Sequence, residues 1–166
     1  MPTSKELPAD KLWPLIRNLR YPVLTTRRPD GGLRSRPVAM QNRDSERLDF
    51  LWLFTQRNGG QVEDLQWDTS ASIVFAEAHH AAFVAVFGSA AVLEDSSRKK
   101  ALWSPEAASG FAGPDDPGLA LVRVRIIQAD HWDVEKNAAT RIFRLADSTS
   151  PSRIIPDRGR SGAIHH

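Results

Sequence analysis

Residues 24–38 read Leu-Thr-Thr-Arg-Arg-Pro-Asp-Gly-Gly-Leu-Arg-Ser-Arg-Pro-Val, and this stretch decides the fold prediction. The Pro29–Gly32 corner supplies a preset φ at the proline and positive φ at the glycines, so the flanking runs are predicted to form a β-hairpin. The second strand carries Arg34 and Arg36 on one face, because strand side chains alternate. Such a pair is either a solvated edge or a clamp for an anion such as phosphate, and taken alone it favours the solvated edge.

Strand periodicity dominates the rest of the chain. Several runs alternate apolar and polar residues, and Gly88-Ser89 interrupts one of them, where a bulge or a sharp barrel corner is expected. Closing these strands into a barrel would hide the sheet edges. The predicted fold is therefore mainly β, a β-barrel with a few helices. The predicted strands are Tyr21–Arg28, Leu33–Gln41, Leu48–Thr55, Ala71–Glu77, Phe83–Glu94, Leu119–Val134 and Thr140–Ala146.

Three helices are predicted between these strands. The first spans Leu7–Leu19, where Pro14 indicates a break or a short first piece. The second spans Asn58–Trp67 and begins with Asn58 as its cap. The third spans Asp95–Trp103 and is capped by Asp95 or Ser96.

The chain length of 166 residues suits one domain with its own hydrophobic core. Residues 1–147 are predicted to form a single barrel domain with an N-terminal helix. Residues 148–166 combine serines, prolines and arginines without apolar periodicity, so they are predicted to be a mobile tail. The tail ends in His165-His166, which are either native or an added remnant.

Composition narrows the class of protein. The absence of cysteine excludes disulfides, thiolate catalysis and thiolate metal sites, and no apolar run is long enough for a membrane span or a signal peptide. A cytoplasmic location without membrane association is expected. The formal net charge of +2 produces only a weak electrostatic field, so nucleic acid is not an expected partner.

No motif in the chain predicts a metal site or a catalytic residue. His79-His80 lies in a tight connection without further ligands at a suitable spacing, and is interpreted as exposed turn histidines. Asp115-Asp116 lies within the turn-rich segment Ser104–Gly118, a predicted ordered loop or lid, and is expected to shape Asx turns. No serine occupies a nucleophile-elbow context.

The order of seven short motifs resembles the general-stress-protein branch of the pyridoxamine 5′-phosphate oxidase-like FMN-binding split barrels. The similarity covers roughly Leu12–Leu145. It implies a small split barrel of six to seven antiparallel strands, a homodimer with two FMN molecules in clefts between the subunits, and an oxidoreductase ancestry. The motifs are Leu24–Arg27, Asp30-Gly31, Ser35–Val38, Leu53–Thr55, Val84–Ala90, Gly113–Pro117 and Asp130–Asp133.

The resemblance assigns the residues of a flavin site. The arginine that matches Arg36 contacts the FMN phosphate in such proteins, and the backbone that matches Pro37 and Val38 runs beside the flavin ring. The position of Thr55 implies a hydroxyl and an amide near the phosphate, with a purely structural hydroxyl as the alternative. Amides at the start of the second helix, those of Gly59, Gly60 and Gln61, are expected to face the phosphate.

The chain departs from the family pattern in this turn. The usual serine and lysine are replaced by Gly59 and Gln61, so the phosphate loses a charge partner. Three readings stay open at this point. Arg57 or Arg34 compensates, the cofactor is a different flavin such as FAD, or the site is vacant. The resemblance also leads us to expect that Gln61→Lys would tighten FMN binding.

The C-terminal strand pair carries the rest of the predicted site. The tryptophan that matches Trp132 reaches the flavin of the other subunit in pyridoxamine phosphate oxidases, with a structural barrel aromatic that seals the dimer as the alternative. Arg141 matches an arginine that helps to hold flavin and substrate. Phe143 stands where the oxidases have a histidine, so oxidation of pyridoxine phosphate is not expected.

The predicted function is FMN binding, with flavin-dependent oxidoreduction of an unidentified small molecule and a stress-related role. The isoalloxazine would carry the redox chemistry while the protein positions it. Two alternatives remain: a non-catalytic flavin-binding or storage dimer, and a cofactor-free split barrel that acts as an interaction module.

Overall fold

One curled antiparallel sheet forms the body of the molecule. The computed structural model describes residues 9–43, 48–79, 81–105 and 110–144. Within them lie three helices and eight strands. The helices are α1 (Ala9–Ile16), α2 (Gln61–Trp67) and α3 (Ser96–Leu102). The strands are β1 (Val23–Arg27), β2 (Leu33–Pro37), β3 (Ala39–Met40), β4 (Phe50–Gln56), β5 (Ser70–Glu77), β6 (Ala82–Leu93), β7 (Leu119–Asp133) and β8 (Ala138–Arg144).

The strand order places consecutive parts of the chain at opposite edges of the sheet. The order is β2-β1-β5-β6-β7-β4-β3, and β8 pairs with the C-terminal half of β7. Strands β2 and β3 are the two ends of this path, yet only Val38 separates them in sequence. The chain therefore crosses from one edge to the other at Val38, and this crossing closes the sheet into a half-barrel.

Alternation along the strands builds the main core. Paired residues of neighbouring antiparallel strands project to the same face, so inward positions line up in rows. One such row runs from Leu24 through Ile73 and Val86 to Ala129, all of them buried. Leu12 and Ile16 of α1 pack against the same cluster. The half-barrel thus has a continuous apolar interior.

Strand β4 is buried on both faces. Leu51 and Leu53 belong to the main core, whereas Trp52 and Phe54 join a second apolar cluster with Leu102 of α3. This explains why β4 reads as a nearly continuous apolar run, because a strand covered on both sides has no solvent face to mark with polar residues. Helix α3 therefore shields the outer side of β4.

The predicted mainly β fold is confirmed, and all seven predicted strands are present. The predicted strand Leu33–Gln41 is divided at the crossing into β2 and β3, which brings the number of strands to eight. Among the described residues, no helix is long and apolar enough to cross a membrane. The predicted tail, residues 148–166, lies outside the described residues.

The structure overturns two of the sequence predictions about the helices and confirms a third. Helix α1 continues through Pro14 to Ile16, so the predicted break at the proline is wrong. Helix α2 begins at Gln61 and its N-cap is Gly60, without a side-chain cap, so the prediction of Asn58 as cap is also wrong. The cap of α3 is confirmed, because Asp95 accepts a hydrogen bond from the Arg98 amide.

The interruption at Gly88 is a bulge, which is one of the two outcomes that the sequence predicts. The register between β6 and β7 shifts between Phe87 and Gly88. The backbone of β7 passes so close that a Cβ atom on Gly88 would lie 2.2 Å from the Arg125 carbonyl oxygen and 2.7 Å from Val124 Cγ1. Because backbone cannot yield as a flexible side chain can, only glycine fits at this bend.

Replacing this glycine tests the close approach. Gly88→Ala is expected to lower the free energy of unfolding by about 1–3 kcal/mol, since its methyl group forces the two longest strands apart. Urea denaturation checks this, with Gly113→Ala as the control because a Cβ atom on Gly113 meets nothing within 4 Å. Equal stability of the two variants would contradict the packing described for the bulge.

Candidate functional site

A cleft of about 320 Å³ opens where the chain crosses between the sheet edges. One wall is the segment Arg36–Ala39, which connects β2 to β3. The other wall is the C-terminal end of β4 with the following turn, including Thr55 and Gly59. Because β3 pairs with β4 through Ala39 and Phe54 while β2 leaves toward β1, the two walls diverge and leave the cleft between them.

Arg36 supplies the positive charge of this cleft. It pairs with Leu24 in the register of β1 and β2, so its side chain projects from the face on which Leu24 is buried. Arg36 is nevertheless exposed, because β2 is an edge strand and the cleft opens beside it. Within the described ranges Arg36 makes no ion pair. Its guanidinium group is therefore available to an anion.

Two aromatic side chains flank the cleft. Tyr21 precedes β1, and Phe111 comes from the loop before β7. Asp116 stabilises that loop by accepting hydrogen bonds from the Ala112 amide at 2.9 Å and from the Gly118 amide at 2.8 Å. These two amides lower the pKa of the Asp116 carboxyl group. The interpretation of Asp116 as a turn-forming residue is thus confirmed, and the turn it forms lies next to Phe111.

The turn between β4 and α2 forms the end of the cleft. Thr55 is mostly buried at the end of β4, and the Gly59 amide donates to the Gln56 carbonyl at 3.1 Å. Gly60 follows in the left-handed region with φ of 89°. The predicted residues Arg36, Pro37, Val38 and Thr55 all line the cleft, and Gly60 directly follows the lining residue Gly59.

Gln61 occupies a different environment from the one its motif position implies. Its side chain is fully buried, and its Nε2 donates to the Leu24 carbonyl at 2.8 Å. Its Oε1 has no hydrogen-bond partner among the described residues. The side chain thus serves the packing of α2 against β1, and only the backbone of Gln61 belongs to the turn.

A partly buried ion pair joins the hairpin to α2. Asp64 is 1% exposed, and its Oδ2 accepts from Arg34 Nε at 2.9 Å and from Thr26 Oγ1 at 2.8 Å. Arg34 also donates through Nη1 to the Gly59 carbonyl at 3.3 Å. No sequence motif marks Asp64, because a helical aspartate gives no local sign that it faces inward toward an arginine thirty residues away.

The Arg57 side chain forms its hydrogen bonds outside the cleft. It forms a bidentate pair with Glu94 and donates to the carbonyls of Pro117 and Leu119. Its hydrogen bonds hold the pKa of Glu94 below the ordinary value. Arg57 therefore connects the start of the turn to the segment where β7 begins, and all three of its side-chain nitrogens already donate hydrogen bonds.

Trp132 and Arg141 lie away from the cleft of their own chain. Trp132 is half exposed on β7 and pairs with Phe83 of β6. Arg141 of β8 forms an ion pair with Asp130 at 2.9 Å. The structure thus brings the N-terminal part of the predicted site together and places its C-terminal part on the outer face of the sheet.

Within the described part of the chain, no group of three or more histidine, aspartate or glutamate side chains could hold a metal ion. His79 is exposed in the connection between β5 and β6, and His80 lies outside the described residues.

Known proteins share this architecture. The structure of a protein related to general stress protein 26, from Clostridium acetobutylicum, matches with a TM-score of 0.70 at 18% identity, covering 81% of this chain and 96% of that one. The general stress FMN/FAD binding protein of Xanthomonas citri matches with a TM-score of 0.61 at 26% identity, covering 82% and 92%. Protein bli-3 of Neurospora crassa is 24% identical over 155 residues, which are 85% of this chain and 74% of that protein.

A family model describes almost the whole barrel. The model for proteins like pyridoxamine 5′-phosphate oxidase matches residues 8–151, which include every strand and helix given above. The resemblance in motif order is thereby confirmed. The chain belongs to the pyridoxamine 5′-phosphate oxidase-like family.

Proposed function

We propose that this chain binds a flavin, with FMN as the preferred form, in the cleft at the strand crossing. The observation that carries the proposal is Arg36, a cation without an ion-pair partner among the described residues, in a cleft flanked by Tyr21 and Phe111. A ligand that joins a phosphate to an aromatic ring system satisfies both features at once. The Xanthomonas citri relative, an FMN/FAD binding protein, supports this choice of ligand.

The lining residues fit such a ligand. Arg36 would bind the phosphate through charge-assisted hydrogen bonds, and Thr55, which also lines the cleft, offers a hydroxyl. The backbone of Pro37 and Val38 would run beside the flavin ring, where β2 gives way to β3. The bound flavin would supply the electron-transfer chemistry, and the protein would supply position and charge.

Oxidoreduction of a small molecule is the activity we propose for this site. The alternative is a dimer that stores flavin without turnover, and a third candidate is a cofactor-free interaction module. The visible spectrum of the purified protein separates the third from the others, because only bound flavin absorbs there. Reduction by NADH or NADPH followed by reoxidation is expected for the enzyme and not for the storage dimer. The stress-related role and the cytoplasmic location stay predictions.

We also propose that the chain forms a homodimer through the outer face of β6 and β7. Inward residues such as Val84 and Val86 are buried, whereas Phe83, Phe87 and Trp132 on the opposite face are 39%, 42% and 50% exposed. Phe83 and Trp132 are direct cross-strand neighbours. An exposed aromatic patch of this kind is typical of an interaction surface.

The dimer would explain the position of Trp132 and Arg141. Both lie on or next to this outer face, and Trp132 does not line the cleft of its own chain. A partner seated on the face would bring Trp132 toward the flavin of the other subunit, as the family resemblance implies. Sealing of the dimer by Trp132 without contact to the flavin is the alternative.

Removing the cation of the cleft tests the flavin proposal. Arg36→Ala is expected to raise the Kd for FMN tenfold or more, about 1.4 kcal/mol, because the phosphate loses charge-assisted hydrogen bonds. Titration followed by flavin fluorescence measures the Kd. The control is Arg28→Ala, an exposed arginine of the same hairpin that pairs with Asp30. Equal Kd values for the two variants would place the phosphate elsewhere.

Gln61→Lys is now expected to destabilise the protein rather than simply to add a cation beside the phosphate. The Gln61 side chain is fully buried, so a lysine would bury an ammonium group at a cost of about 3 kcal/mol or more. Thermal unfolding compared with Gln66→Lys, on the exposed side of α2, checks this. Tighter FMN binding by Gln61→Lys with an unchanged melting temperature would restore the expectation from the motif alone.

Light scattering tests the dimer. The wild type is expected to show twice the chain mass of 18.5 kDa, with a two-fold interface of roughly 1,000 Å² or more. Phe87→Glu should favour the monomer, because it places a charge within the aromatic face. The control is Trp67→Glu, an exposed aromatic on α2. FMN should raise the melting temperature of the dimer by mass action. A monomeric wild type would remove the shared-cleft arrangement.

A further inference from the structure

We infer that Arg34 is the second phosphate-binding cation of the flavin site and that the buried carboxylate of Asp64 positions it. This inference rests on the proposed flavin function and names the residue that takes over from the lysine missing at the turn. Two arginines of one strand, Arg34 and Arg36, would then bind the phosphate from the same side.

The turn itself supplies no side-chain cation that is available to a phosphate. Gln61 stands at the lysine position, and its side chain is buried against the Leu24 carbonyl. Arg57, at the start of the turn, already uses all three of its side-chain nitrogens to donate to Glu94 and to the carbonyls of Pro117 and Leu119. Any second cation near the turn must therefore come from a different element.

Arg34 lies directly against this turn. It projects from the same face of β2 as Arg36, two residues away, and pairs in register with Thr26. A Cβ atom built on Gly60 would lie 2.0 Å from Arg34 Nη1 and 2.3 Å from its Cζ. Nη1 also donates to the carbonyl of Gly59, which lines the cleft. The guanidinium group therefore covers Gly60 at the end of the cleft that holds Thr55.

Asp64 holds this guanidinium group by one edge. The carboxylate accepts from Arg34 Nε at 2.9 Å and is kept in place by the Thr26 hydroxyl. The hydrogen bonds of Arg34 to described residues use Nε and Nη1, which leaves Nη2 open, and the side chain is 27% exposed. A planar guanidinium group anchored at one edge presents its other donors in a defined direction.

The Arg34–Asp64 ion pair is neutral as a whole, so its contribution to anion binding comes from the orientation of the Arg34 donors. The Asp64 side chain is 1% exposed, whereas the Arg34 side chain is 27% exposed and its Nη1 and Nη2 lie beside Gly60 of the turn. An anion in the cleft would meet the positive end of this pair and would not meet the carboxylate directly. Gly60 is required for this arrangement. Any side chain at that position would displace the Arg34 guanidinium group and would also strain a backbone φ of 89°.

Comparing FMN with riboflavin tests the inference, because the two ligands differ only in the phosphate. The Kd of each is measured for the wild type, Arg34→Gln, Asp64→Asn, the double variant, and Arg28→Gln as the control. Arg34→Gln is expected to weaken FMN about tenfold while riboflavin binding changes little. The double variant avoids a lone buried carboxylate, and it should show the same selective loss if Arg34→Gln alone folds poorly.

Asp64→Asn distinguishes a positioning residue from a simple negative charge. If Asp64 positions Arg34, the preference for FMN over riboflavin falls although the arginine is still present. If Asp64 acts only as a carboxylate near the phosphate, its removal raises that preference, and the positioning role is wrong. An unchanged preference in both the Arg34→Gln and the double variant would overturn the inference while leaving flavin binding intact. Failure of the wild type to bind either ligand would overturn the proposed function itself.

Discussion

The crossing of the chain at Val38 is the constraint on which the rest of the structure depends. Strands β2 and β3 are the edges of the sheet, and edge strands leave backbone groups without partners. The crossing supplies some of these partners, since the Val38 amide donates to the Pro22 carbonyl and the Met40 amide to the Arg20 carbonyl. The same geometry forces β2 and β4 apart, so the cleft is a consequence of closing the sheet.

The position of the Arg34–Asp64 ion pair beside this cleft suggests a role in binding. Burying the Asp64 charge and part of the Arg34 charge costs desolvation free energy, and apolar residues of similar volume often stabilise a fold as well as or better than an ion pair. A pair placed next to the turn that ends the cleft, with one edge of the arginine open, is better explained by binding than by stability. The proposed phosphate site would thus use a charge that the hairpin and α2 hold jointly.

The two ends of the sheet differ in how their outer surface is covered. Around β4 and the start of β7, α3 and the loop bearing Phe111 cover the outer face, so that Trp52 and Phe54 are buried. Along the rest of β6 and β7, Phe83, Phe87 and Trp132 stay exposed. The proposed homodimer would cover this second part, and it would also unite the C-terminal residues of the predicted site with a cleft.

The sequence by itself determined the local features: the hairpin at Pro29–Gly32, an interruption of the strand at Gly88, a helix cap at Asp95 or Ser96, and the family. Alternation, turn residues and caps involve neighbours along the chain, so they can be read directly. Only the tertiary structure decided that the Gln61 side chain is buried, that Arg57 is taken by Glu94, and that Arg34 covers Gly60. Those outcomes depend on contacts between residues far apart in sequence, which appear only once the sheet has closed.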